Sequence, residues 1–429
     1  MSKEQKVAKE LLRFIETSPS VFHVVDNICK KLDGLGFQEL KETEVWKTEA
    51  GKGYYVVRND SSIIAFRLPM LEIKGFHMVA THGDSPTFKI KEQPELSVEE
   101  QYIKLNTEKY GGMIHSSWLD RPLSVAGRIV VKNEEGKPEV KLVNVDKDLL
   151  VIPNLAIHMN RDVNKGYEYN PQEDMLPLLG LGKKKEAKNM LLKEVAASAG
   201  VKKEDILGQD LFLYVREKGR LVGIKQELII SPKLDDLQCV HVALEAFGER
   251  IPKEYINVLA VFDNEEVGST TAQGADSTFL KDTLARVGEA LGWTEEERCR
   301  RMAESFLISA DNAHAVHPNH PEKSDPGNRP YLGGGIVIKY HGSQKYTTDG
   351  VSAASMKLWC EKAKVPYQTF YNRSDMVGGS TLGNISNSQL SVTSVDIGLP
   401  QLAMHSAIET AAGADSTAAI KVFKVFWSE

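Results

Sequence analysis

Seven acidic or imidazole side chains stand where an apolar run has just ended. Phe76-His77-Met78-Val79-Ala80-Thr81 leads into His82-Gly83-Asp84, and Ile256-Asn257-Val258-Leu259-Ala260-Val261-Phe262 leads into Asp263-Asn264-Glu265-Glu266. Phe306-Leu307-Ile308-Ser309-Ala310 stops at Asp311, and Leu399-Pro400-Gln401-Leu402-Ala403-Met404 stops at His405. Short apolar runs closed by turn residues read as buried strands. Ligands of open α/β sheets bind beyond the carboxyl ends of such strands. Carboxylates and imidazoles gathered at one such edge suit a divalent cation, which points to a metalloenzyme.

The spacing sharpens this. His82 and Asp84 project to the same side of an extended segment, so the carboxylate can fix the tautomer of a metal-bound imidazole. Three carboxylates among Asp263-Asn264-Glu265-Glu266 would repel one another after a buried strand unless something positive sits there. Adjacent Glu265 and Glu266 point differently, so one can bind metal while the other faces a metal-bound water. Asp311-Asn312-Ala313-His314-Ala315-Val316-His317 offers three further donors. Asp235 opens a predicted helix, where it is either a cap or a ligand.

Other chemistries lose their best evidence. Gly182-Lys183-Lys184 hints at a phosphate loop, but Pro177 stands where the pattern needs Gly and Lys184 where it needs Ser or Thr. Neither H-E-x-x-H nor G-x-S-x-G occurs. Gly378-Gly379-Ser380-Thr381 reads as a turn near the metal edge, not as a nucleophile site.

The elements that must position these groups follow from the pattern. Helices are expected over 7–16, 21–35, 186–199, 234–247, 278–290, 295–304, 352–363 and 414–427. Strands are expected at 54–58, 62–68, 76–81, from 256, and at 306–310, 335–340, 369–371 and 390–395. Between them, short β candidates at 102–105, 128–132, 140–143, 149–152, 211–215 and 223–230 are separated by polar loops. A chain of 429 residues exceeds one ordinary core. The economical organisation is a discontinuous α/β catalytic domain, residues 1–91 and 233–429, interrupted by a mostly β insertion at 92–232.

Composition sets the class. Hydrophobic residues at 41% and charged residues at 26% fit a globular protein, and a net charge of −6 gives no basic field for nucleic acid. Cys29, Cys239, Cys299 and Cys360 are scattered, as reduced thiols of a cytoplasmic protein are. No run approaches the roughly 18 consecutive apolar residues of a membrane span.

A family resemblance runs nearly end to end. Thr81-His82-Gly83-Asp84-Ser85-Pro86, Asp263-Asn264-Glu265-Glu266-Val267-Gly268-Ser269, Asp311 to Asn319, and Met404-His405-Ser406 carry it. So do Ser18-Pro19-Ser20, Tyr110-Gly111-Gly112, Trp118-Leu119-Asp120-Arg121 and Ile152-Pro153-Asn154-Leu155-Ala156-Ile157-His158. In these motifs the chain resembles the aspartyl aminopeptidase family of dinuclear zinc exopeptidases.

The resemblance implies an α/β/α zinc-exopeptidase fold with a β-rich dimerisation insert, and two Zn²⁺ per subunit, with Mn²⁺ or Co²⁺ as alternatives. It implies that Asp235 bridges the ions, that His82 and Asp311 complete one and Glu266 and His405 the other. Glu265 is then the general base, Asp84 orients His82, and His158 reaches a neighbouring subunit's site in a homo-oligomer, a dodecamer. Lys339 and Tyr346, with His314, match positions that hold an N-terminal Asp or Glu of a peptide with a free amino terminus. Ile408 stands where relatives often carry Arg, and Asp375-Met376-Val377-Gly378-Gly379 also departs from the common form. A broader aminopeptidase or an amidase with the same centre, or a metal-stabilised scaffold, are the alternatives.

Overall fold

The computed structural model describes residues 1–248, 251–379 and 381–429. Ser380, within the turn expected over 378–381, lies outside them.

A nine-stranded sheet forms the middle layer. Its centre is four parallel strands: Tyr255–Phe262, Gly75–His82, Phe306–Ala310 and Thr393–Gly398. Every residue of Gly75–His82 is buried, as expected of a parallel strand covered on both faces. Alternation decides which face each side chain serves. Val79, Leu259, Val261, Ile308 and Ile397 pack with Leu11, Ile28, Val240, Trp359 and Phe426 of helices on one side. Met78, Ala80, Val258, Ala260 and Leu307 pack with Phe279, Leu284, Val287 and Leu382 on the other. The result is a helix–sheet–helix sandwich whose central strands all end at one edge.

Two smaller sheets meet that edge. A six-stranded antiparallel sheet runs Pro138–Asn144, Leu123–Lys132, Ile206–Val215, Thr87–Val98, Tyr102–Tyr110, Leu178–Leu181. Phe88, Leu105, Val125, Leu211 and Leu213 form its own core with Leu191 and Val195. A five-stranded sheet joins Arg220–Val222, Leu228–Ser231, Glu409–Ala412, Pro400–Leu402 and Ala313–His314.

Several elements differ from expectation. The helix expected over 186–199 is two, Lys184–Ala187 and Met190–Ala199, because Asn189 adopts a left-handed φ of 59° between them. The segment 149–152 forms only isolated bridges, and of 223–230 only the end is strand, in Leu228–Ser231, which pairs with a separate short strand Arg220–Val222 before it. The strand expected from 390 begins at Thr393, after a helix Leu382–Gln389. The 12-residue strand Thr87–Val98 carries Pro94 and shifts register between Ile90 and Glu95. Pro cannot donate to the ladder, and the irregularity accommodates it.

Candidate metal centre

His82 is the last residue of its strand, and Asp263 and Asp311 each follow the last residue of theirs. Asp235 lies at the start of Leu234–Phe247, yet it and Asp236 leave the helical region, with ψ of 110° and 21°. Its carboxylate is therefore turned to the sheet edge instead of capping the helix. His405 comes from the loop before Glu409–Ala412 and holds a left-handed φ of 65°. Non-glycine residues persist there only where neighbours over-determine them. Two bonds do so: the His405 N–H donates to Glu409 Oε1 at 2.7 Å, and the Ile114 N–H donates to the His405 carbonyl at 3.0 Å.

The two oxygens of Asp235 face different groups. Oδ1 lies 3.6 Å from His82 Nε2, which is 3.9 Å from Asp311 Oδ1. Oδ2 lies 3.4 Å from His405 Nε2, itself 3.4 Å from Glu266 Oε2. His82, Asp235 and Asp311 thus form one donor triad and Asp235, Glu266 and His405 another, each with ligand atoms within 4.8 Å of one another. A third set of the same tightness, His82, Glu265 and Glu266, puts Glu265 beside both.

Hydrogen bonds fix both imidazole tautomers. A carbonyl oxygen only accepts, so His82 Nδ1–H donates to Asp84 O at 3.1 Å and His405 Nδ1–H to Gly112 O at 2.6 Å. Each therefore turns its Nε2 into its triad, the nitrogen a cation would take in exchange for a proton. Asp84 also stands 3.3 Å from His82 Nδ1 through Oδ1, and it accepts the backbone N–H groups of Glu265 and Glu266 at 3.2 and 3.1 Å.

The electrostatics call for positive charge. Burial, with nearby carboxylates adding to it, pushes Glu265 up to about 8 and Asp311 up to about 6, and Glu266 well above its ordinary value. Burial would lower His405, but Asp235 overcomes it and raises the imidazole to about 9. Acids that resist ionising beside imidazoles that retain protons describe a cluster with excess negative charge. Buried Asp235 Oδ1 and Glu266 Oε1 have no hydrogen-bond partner. Orphaned anionic oxygens, two imidazole Nε2 atoms facing the triads and a carboxylate-rich set fit divalent zinc.

Lys339, Tyr346 and His314 lie alongside. Lys339 is 3% exposed; its Nζ donates to Asn312 O at 2.8 Å, lies 3.7 Å from Asp311 Oδ2 and sits 5.6 Å from the Tyr346 ring centre. Tyr346 packs with Phe370 and Val337, and the exposed His314 ring lies 6.2 Å from Phe370. His158 is separate: it is exposed on a turn, with no hydrogen bond among the described residues.

Four residues of the shell were given no role from the sequence, although Tyr110 and Asn312 stand within quoted motifs. Glu409 Oε2 accepts the Asp235 N–H at 3.0 Å while its other oxygen accepts the His405 N–H, so one buried carboxylate holds the backbones of both residues. Asn312 Nδ2 donates to Leu234 O and to Gln401. Tyr110 OH donates to Asp84 Oδ2 at 2.7 Å. Asp396, fully buried, accepts from the Thr347 N–H and from the Thr347 and Thr381 hydroxyls. Only Glu409 had a local cue, an acid four residues after His405.

Comparison with known proteins agrees with this donor set. The family model described as Aminopeptidase I zinc metalloprotease (M18) matches residues 14–427. The "Probable M18 family aminopeptidase 2" of Clostridium novyi (strain NT) is 51% identical over 432 residues, 100% of each chain. Among solved structures, a cryo-EM structure of the Ape4 and Nbr1 complex aligns with a TM-score of 0.95 at 35% identity, covering 99% of this chain and 86% of that one. The S. cerevesiae mApe1 dodecamer aligns at 0.85 and 26% identity, covering 99% and 97%. A match of that extent, on a fold whose strand ends gather zinc-type donors, makes the chain a member of the M18 family of zinc aminopeptidases.

Proposed function

We propose that this aminopeptidase works with two zinc ions and removes an N-terminal Asp or Glu from peptides. The observation that carries the two-ion reading is the division of Asp235, one oxygen to each triad. His82 and Asp311 would hold one ion and Glu266 and His405 the other. Zinc held there would supply Lewis acidity and a water ionised near pH of about 7.

The chain's own groups do the rest. Glu265, beside both triads, takes a proton from the attacking water and returns it to the leaving amine. Asp84 sets the direction of His82 and, through the Glu265 N–H, the backbone of the base. The free α-amine is received by the carboxylate-rich edge, which limits cleavage to the first residue. Lys339 reads the acidic side chain, with Tyr346 and His314 shaping the wall.

A second reading, a broad aminopeptidase, draws on one observation. The Lys339 ammonium is already engaged by Asn312 O and Asp311, and Ile408 packs against the core of the six-stranded sheet where relatives often carry Arg.

We further assign residues 92–232 to an inserted domain that joins copies of the chain in a homo-oligomer, a dodecamer as in the mApe1 relative. Exposed Leu155, Ile157 and Met159 around His158 support this. They also support His158 reaching a neighbour's site. No helix among the described residues is long and apolar enough to cross a membrane, and four free cysteines support a cytoplasmic setting.

A panel of Asp, Glu, Ala, Leu and Lys aminoacyl substrates, run with zinc-reconstituted protein, tests the preference. Acidic residues are expected to lead in kcat/KM, with Lys339→Ala lowering them selectively. Equal rates across the panel, or an equal loss on every substrate, would leave the broad reading standing.

A further inference from the structure

One element of the six-stranded sheet touches the metal centre at four points. Tyr102–Tyr110 ends against it, and the chain continues through Gly111 and Gly112 to Ile114. Tyr110 OH donates to Asp84 Oδ2 at 2.7 Å. Gly112 O accepts His405 Nδ1–H at 2.6 Å, and the Ile114 N–H donates to His405 O at 3.0 Å. Gly111 has a φ of +78°, and a Cβ built there would meet Glu266 Cβ at 3.1 Å and its carbonyl at 3.3 Å.

The direction of the Tyr110 bond is settled by its neighbours. Asn264 Oδ1 already accepts from Thr271 Oγ1 at 2.8 Å and from Gln273 Nε2 at 2.9 Å. Its amide NH₂ therefore faces Tyr110, to whose oxygen it donates at 2.9 Å. With that oxygen accepting from Asn264, the phenol proton points at Asp84. The Asp84 carboxylate then passes the constraint on to His82 Nδ1, 3.3 Å from its Oδ1, and to the backbone N–H groups of Glu265 and Glu266 that it accepts. Tyr110 is itself anchored in its sheet, with its ring edge-on to Phe212 at 5.6 Å.

We propose that residues 110–114 are a strap by which the six-stranded sheet sets zinc affinity, with Tyr110 as its positioning residue. The strap fixes the His405 tautomer and the Asp84–His82 pair, and so reaches both donor triads from a different sheet. Coupling of this kind is reciprocal: an ion that needs the strap in place must also tighten the strap. Zinc loading and close packing of the six-stranded sheet on the strand ends are then one equilibrium. The proposal rests on the zinc-centre reading, and the experiment separates the two.

Zinc is titrated into metal-free full-length protein against a chromogenic chelator, for wild type, Tyr110→Phe and Gly111→Ala. Tyr110→Phe keeps the ring and removes only the hydroxyl, and loss of such an outer hydrogen bond weakens metal binding about 10–100-fold. Gly111→Ala is an independent variant, since its Cβ strains the turn and displaces Glu266. Hydrogen exchange of residues 102–114 is followed with and without zinc.

The expected result is weaker zinc binding in both variants, and zinc-dependent protection of 102–114 in wild type that diminishes in Tyr110→Phe. Thermal midpoints of the metal-free proteins serve as the structural control; equal midpoints with unequal affinities assign the effect to positioning. Should wild type bind zinc tightly and both variants match it, with protection of 102–114 independent of zinc, the strap is overturned while the metal centre stands. If wild type itself takes up no zinc, the metal-centre reading fails instead.

Discussion

His77 makes the fold sensitive to acid at the end of the sheet away from the metal. Its ring is sandwiched between Tyr255 at 3.8 Å and Phe426 at 4.4 Å, both nearly parallel to it. Its Nδ1–H donates to Phe426 O at 3.0 Å, and its carbonyl accepts from Trp427 Nε1. Only 4% of the residue is exposed, and burial lowers its pKa from 6.5 to about 4, against small raising effects from the Phe426 carbonyl and Glu429. The sign follows from linkage. Above pH 6.5 the ring is neutral in both states and contributes no pH dependence. Between 6.5 and 4 the unfolded chain takes up a proton that the folded chain refuses, so stability falls as pH falls, and it levels off below 4.

For one site with these two values, the loss is about 1.4 kcal/mol at pH 5.5 and about 2.6 kcal/mol at pH 4.5. His77→Phe keeps an aromatic ring in the stack and removes the titration. It leaves Phe426 O without that donor, a cost that does not vary with pH. His23 and His241 are likewise lowered to about 4, chiefly by burial, so the wild-type profile alone does not isolate His77. The difference between wild type and variant does. Urea unfolding of the metal-free proteins at pH 7.5, 5.5 and 4.5 is the assay. The stability difference should move in the variant's favour by about 2–3 kcal/mol across that range. A difference that stays constant refutes the burial argument for His77.

Two further predictions concern the site. Glu265→Gln should retain zinc, measured by metal analysis, while kcat falls about 10²–10⁴-fold through loss of the base; near-normal turnover would remove Glu265 from that role. Asp396→Asn places an amide donor against the Thr347 or Thr381 donors, a mismatch costing about 1–3 kcal/mol. Because Thr347 follows Tyr346 in the pocket wall, KM and the ranking of first residues should change more than kcat on the most reactive substrate. Unchanged KM across the panel would make the Asp396 network purely structural.

The strand-end donors were legible because two local signals coincide there. A buried run such as Ile256–Phe262 fixes a strand, and an acid placed immediately after it marks the edge. The helix Leu382–Gln389 was not legible, since its Gly, Asn and Ser residues are weak helix formers and tertiary packing through Leu382 decides instead. Asn189 could have been read as a helix break, because Asn tolerates the left-handed region. The shell around the metal centre was illegible for a different reason. Tyr110 meets Asp84 and Asn264, and Gly112 meets a histidine 293 positions away. No periodicity encodes a partner at that separation. Glu409 shows the limit well: it lies close to His405 in sequence, but its second bond, to Asp235, spans 174 positions.

The order of the proposed ligands along the chain has a biological corollary. His82, Asp235, Glu266, Asp311 and His405 are dealt out from the first quarter of the polypeptide almost to its finish, and the central sheet interleaves early and late strands. No contiguous portion stopping short of His405 carries the whole set. A translation product stalled before His405, or a fragment cut between His82 and His405, thus lacks part of the proposed metal site and is expected not to cut peptides.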